Sequence, residues 1–130
     1  LPHTRGDMTR AIMESAAYEL HWALQEMRAA GLRVDEMFMV GGAARSPHWP
    51  QIVADITGAP LAVSRYPHWP ALGAAILAGW GVGLFDSIDA SRLSLSQPVL
   101  RIQPDADRHA AHALNFARYQ ARYQGLMRAV

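Results

Sequence analysis

Near the start of the chain, apolar residues recur at steps of three and four: Met13, Ala17, Leu20, Leu24 and Met27. That spacing marks one face of an amphipathic helix and predicts a helix over residues 8–30. Asp7 is placed to cap its first turn, and Gly31 to close it, with Leu32 folding back on the last turn. The period then changes. Met37-Phe38-Met39-Val40 is an apolar run too short for a helix, and it reads as a buried strand that ends in Gly41-Gly42. Ser46-Pro47 predicts the next helix start, serine as the N-cap and proline at the first helical position. Trp49, Ile52, Val53 and Ile56 give that helix its apolar face, and Gly58 and Pro60 stop it. Leu61 to Ser64 reads as a second strand.

A third helix is predicted from about Pro70 to Trp80, ending in Gly81 and Gly83. Its small residues Ala71, Gly73, Ala74, Ala75, Ala78 and Gly79 imply a tightly packed core helix lying close to another backbone, since the glycines cost helix propensity. Residues 84–104 read as a loop-rich connection with one extended stretch, Val99 to Ile102. A last helix over 106–127 carries Phe116, Tyr119, Tyr123 and Leu126 on one side. Strands alternating with helices define an α/β class built from βαβ units and imply a parallel sheet. So few strands are short measure for such a sheet, which places the missing ones upstream of Leu1. Pro-His-Trp-Pro occurs at 47–50 and at 67–70, and both copies open a helix.

Composition narrows the function classes. The 130 residues are 51% hydrophobic and 18% charged, as in a globular domain. The formal charge of +1 provides no bulk field for nucleic acid or anionic lipid. Without cysteine, disulfides and thiolate metal sites are excluded, and a reducing cytosol is permitted. All 12 basic residues are arginine, so a lysine-based phosphate loop is impossible within this chain. No apolar run reaches the roughly 20 residues of a membrane helix, and there is no basic, apolar leader of the secretory kind.

The chemistry concentrates in Val40-Gly41-Gly42-Ala43-Ala44-Arg45-Ser46-Pro47. A strand runs into two glycines and then a capped helix. Glycine lets backbone approach a ligand without a Cβ in the way, and a helix N-terminus offers free N–H groups and partial positive charge. A phosphate or the polar edge of a nucleotide suits that arrangement; a plain tight turn is the competing reading. Joined to Ala71-Leu72-Gly73-Ala74-Ala75-Ile76-Leu77-Ala78-Gly79, the pattern resembles the actin-like ATPase (ribonuclease H-like) superfamily. Within it, the chain is similar to the C-terminal domain of the FGGY carbohydrate kinases, in its xylulokinase-like branch. Asp7-Met8-Thr9-Arg10-Ala11-Ile12-Met13-Glu14, Gly79-Trp80-Gly81-Val82-Gly83-Leu84-Phe85 and the closing aromatic helix agree with that resemblance.

The resemblance implies a C-terminal portion of the second, nucleotide-side domain over residues 1–130, with a terminal helix at 105–130. It implies ATP and Mg²⁺ as cofactors and a sugar or polyol as the phosphoryl acceptor, held by sequence before Leu1 together with the catalytic base. It places adenosine and inner phosphate against Gly41, Gly42 and Ala43, and the adenine near Ser46, with Arg45 flanking. No catalytic residue and no metal ligand falls within the chain on this reading. A cytoplasmic homo-oligomer is expected, and an unpaired sheet edge should make the isolated chain associate. The alternative is a non-catalytic actin-like module that binds nucleotide or a partner. His109 and His112, three apart on a helix, are a geometrically possible metal pair, but no third ligand completes a site. His48, His68 and Trp49 read as packing or surface residues, and Trp69 as a possible stacking platform. Asp86, Asp89, Asp105 and Asp107 read as loop and cap residues.

Overall fold

The computed structural model describes residues 2–89 and 99–128. Its elements are helix α1 (Arg5–Ala29), strand β1 (Met37–Met39), a 3-10 turn (Ala43–Arg45), α2 (Trp49–Thr57), β2 (Leu61–Val63), α3 (Trp69–Gly81), β3 (Leu100–Ile102) and α4 (Ala106–Met127). The predicted connection at 84–104 falls partly on residues 90–98, and the end of the predicted terminal helix on 129–130. Both lie outside the described residues.

Helix α1 begins three residues before the predicted start. Thr4, not Asp7, is its N-cap: Asp7 N–H donates to Thr4 Oγ1 at 3.2 Å, and Thr4 N–H donates to Asp7 Oδ2 at 2.7 Å. Asp7 is the acid of a capping box, which satisfies two otherwise orphaned donors at once. That reciprocal bond from the Thr4 backbone holds the Asp7 carboxyl below its ordinary range. The far end closes as predicted. Gly31 has φ 83°, its N–H donates to Arg28 O, and Leu32 N–H reaches back to Met27 O at 3.0 Å. These are the two bonds of a Schellman motif.

The sheet order is β1-β2-β3, with β1 and β2 parallel across α2, so the predicted βαβ unit is present. The sheet as a whole is mixed rather than parallel, because β3 runs antiparallel to β2. Central β2 is buried throughout, whereas β1 is an edge strand and Phe38 is 54% exposed. The expectation of a buried β1 fails for that reason: α2 covers one face of the sheet, and on the other face the edge position leaves Phe38 exposed although its central-strand neighbour Ala62 is buried. Met37 and Met39 point to the covered side, where they join Leu61, Val63, Ile52, Val53 and Ile56.

Helix α2 is the hub, packing on the sheet with one side and on α1 and α4 with the others. It is buried at Pro50 and from Ile52 through Thr57. Aromatic rings lock the outer layer: Phe116 of α4 meets Tyr18 and His21 of α1 with centroids 5.9 and 4.6 Å apart. Helix α3 departs from the expected core helix. Only Ile76 and Gly79 are buried on it, while Leu77 and Trp80 are exposed. Gly79 is closely approached, but by the Phe85 ring folding back and not by another backbone: a Cβ there would lie 2.4 Å from a ring carbon. The small-residue pattern marks a surface available for close packing, and what packs on it is not decided within the helix.

Candidate functional site

The Gly41-Gly42 loop leaves the carboxyl end of β1, whose last carbonyl, Met39 O, accepts Ser64 N–H at 2.9 Å from the neighbouring strand. Gly41 has φ 78°, a conformation that a side chain makes costly. Gly42 sits in the right-handed helical region, φ −61° and ψ −40°, and starts the 3-10 turn. Arg45 N–H donates to Gly42 O at 3.1 Å and Ser46 N–H to Ala43 O at 3.2 Å. Ala44 is buried and anchors the turn in the core, while Gly42, Ala43 and Arg45 face outward. A Cβ built on Gly41 or Gly42 meets nothing within 4 Å. The backbone here is thus a firmly seated ledge with open space over it.

Ser46 does not cap α2 from the residue next to it, because the helix starts at Trp49, with Pro50 and not Pro47 in the first turn. Its Oγ nevertheless accepts Trp49 N–H at 3.1 Å across three residues. The hydroxyl retains its own proton to donate. Trp69 is committed elsewhere: its Nε1–H donates to the buried Ser64 Oγ at 2.9 Å, and its ring is edge-on to Phe38 and Tyr66. That cluster stands at the carboxyl ends of β1 and β2, beside the glycine loop. Trp49 packs against the core as expected, and Asp105 is the N-cap of α4, its Oδ1 accepting Arg108 N–H at 2.9 Å. That bond lowers the Asp105 carboxyl from its usual range.

The paired histidines do not act together. His109 Nδ1–H donates to Asp55 O at 2.9 Å, while His112 Nδ1 is hydrogen-bonded to the Tyr18 hydroxyl at 2.8 Å. Among the described residues, no three His, Asp or Glu side chains converge as a metal ion would need.

The residue that sequence reasoning missed is Asp55, 1% exposed. Its Oδ1 accepts Gln51 Nε2–H at 2.7 Å and Asp105 N–H at 2.9 Å. Gln51 also donates to Gln103 O at 3.1 Å. Arg108 Nη1 lies 3.1 Å from Oδ2, a charge contact outside hydrogen-bond geometry. This hub ties α2 to the segment that links β3 to α4. The signal was present: one acid inside the run Ile52-Val53-Ala54-Asp55-Ile56, four residues after a glutamine. A groove of about 280 Å³ beside the hub is lined by Arg10, His48, Gln51 and Arg108, and it does not include the Gly41–Arg45 turn.

A βαβ unit with a glycine loop at the carboxyl end of its first strand defines an α/β protein of the class whose ligand sites lie at strand ends. The chain belongs to the FGGY family of carbohydrate kinases: residues 1–82 match that family's C-terminal domain. It is similar to a xylulose kinase of Staphylococcus epidermidis, 30% identical over 94% of this chain and 25% of that protein. It is also similar to an autoinducer-2 kinase of Yersinia enterocolitica, 32% identical over 92% of this chain and 23% of that protein. The crystal structure of xylulose kinase from Rhodospirillum rubrum superposes with a TM-score of 0.80 at 26% identity, covering 98% of this chain and 26% of that one. The chain therefore spans about a quarter of the length of the relatives it matches. No helix among the described residues is long and apolar enough to cross a membrane.

Proposed function

We propose that this chain is the nucleotide-side segment of an ATP-dependent carbohydrate kinase of xylulokinase-like type, with residues 1–130 forming the C-terminal part of its second domain. The observation that carries the reading is the Gly41-Gly42 ledge: positive φ at Gly41, open space over both glycines, and a buried anchor at Ala44. Adenosine and the inner phosphate would lie along Gly41, Gly42 and Ala43. Ser46 would donate its hydroxyl proton to the base, and Arg45 would flank the phosphates. The loop carries no carboxylate, so Mg²⁺ would reach this site on the nucleotide. When bound, ATP supplies the γ-phosphoryl group for a sugar or polyol hydroxyl. Phosphoryl transfer depends on positioning and charge stabilisation in a closed cleft, and this chain would contribute one wall of it. The acceptor site and general base would lie in other parts of a complete kinase, which would act in the cytoplasm, as an oligomer.

Calorimetric titration of Mg²⁺-ATP into the chain, with and without Gly42→Val, tests the reading. Gly42 is helical and unobstructed, so valine fits the fold while filling the ligand's space. Weak saturable binding that disappears in the variant is expected. Binding that the variant leaves unchanged would remove the nucleotide from this loop.

A further inference from the structure

Helices α1 and α4 together line a groove of about 280 Å³. Two facing rows line it at helical spacing: Glu14, Ser15 and Tyr18 from α1, and Asn115, Arg118 and Arg122 from α4. It shares no residue with the Gly41–Ser46 loop. Its charges are unequally spent. Glu14 is held by Arg10 Nε at 2.6 Å, and the nearby Glu19 accepts the Tyr119 hydroxyl proton. Arg118 and Arg122, one turn apart, have no carboxylate partner among the described residues. The floor is polar but settled: Tyr18, 5% exposed, bonds to His112, and Ser15 Oγ donates to Ile12 O at 2.8 Å.

We infer that this groove binds a phosphate monoester, the phosphate on Arg118 and Arg122 and its organic body toward Asn115 and Tyr18. Guanidinium forks match phosphate oxygens in a bidentate way that ammonium groups do not. The groove has several times the ~30 Å³ that one water occupies, enough for a small body besides the anion. Glu14 opposes the ligand and limits its affinity, and because the guanidiniums are solvent-exposed, salt weakens binding.

The test is titration of glycerol 3-phosphate and of inorganic phosphate into the chain at low salt, followed by NMR shifts of α1 and α4 amides. Saturable millimolar binding is expected, tighter for the ester. Arg118→Gln with Arg122→Gln should lose about tenfold or more in affinity, at unchanged melting temperature because both side chains are exposed. Glu14→Gln should tighten binding by about threefold, an effect that a purely structural role for Glu14 does not produce. The inference is overturned by no saturable binding, by binding indifferent to the double variant, by preference for inorganic phosphate, or by loss in Gly42→Val instead.

Discussion

Replacing Asp55 with alanine is expected to destabilise the chain by about 2–4 kcal/mol. The magnitude follows from its contacts. Oδ1 accepts two hydrogen bonds, from Gln51 Nε2 and Asp105 N, at 2.7 and 2.9 Å. Each bond to a charged acceptor contributes about 1.5–3 kcal/mol, and the recovered cost of burying the carboxylate offsets part of that sum. Arg108 adds little: its side chain is 57% exposed and rehydrates when its partner is lost, so the ion pair is held to less than about 1 kcal/mol. Asp55→Asn keeps the accepting oxygen but loses the charge and turns an NH2 group toward Arg108 in place of Oδ2, for an expected cost of about 1–2 kcal/mol. Urea unfolding followed by circular dichroism reads the series, with a midpoint shift of about 1–2 M for the alanine variant at ordinary m-values. The predicted order of cost is Asp55→Ala, then Asp55→Asn, then Arg108→Ala. If Arg108→Ala proves as damaging as Asp55→Ala, the ion pair and not the hydrogen-bonded hub joins α2 to α4, and the reasoning fails.

The two adjacent glycines should respond in opposite directions. Gly41→Ala forces a side chain into the left-handed region at φ 78° and should cost about 1–2 kcal/mol, whereas Gly42→Ala, helical and unobstructed, should stabilise by about 0.4–1 kcal/mol through the unfolded chain; thermal melts showing the same sign for both would contradict the loop conformation. Acid should loosen the helical layer. Burial lowers the imidazoles of His21 and His112 below their ordinary value of 6.5; His109 and Arg28 press His21 the same way, and Arg10 and His109 oppose charging of His112 while Glu14 and Asp55 favour it. The unfolded chain then binds more protons than the native one below about pH 6.5, so stability is full above that value and falls as pH drops toward the folded values. The melting temperature should decline as pH falls below about 6.5, and less steeply in His112→Gln; an equal slope in that variant would acquit His112.

Much of this architecture was legible along the chain because it depends on neighbours. The three- and four-residue stripe placed α1, the Gly31-Leu32 pair closed it, and the 106–127 prediction coincides with α4. Strand β1 falls within the apolar run Met37-Phe38-Met39-Val40 that predicted it, since strand pattern and the glycines that follow are written in a few consecutive residues. Contacts between distant residues were not legible in that way. Asp7 was misplaced as the cap because capping box partners look alike until hydrogen bonds choose between Thr4 and Asp7. The antiparallel return of β3 and the edge position of β1 depend on which strands meet, and periodicity records burial without naming the neighbour. Asp55 stood in plain view inside an apolar run with Gln51 one turn before it on the same helix, yet Asp105 and Arg108 reach it only when α4 folds back over α2. Local propensity and pattern thus set the elements of this protein, while its polar hub, its mixed sheet and the arginine groove between α1 and α4 arise from packing, which brings together residues that the sequence keeps fifty to a hundred positions apart.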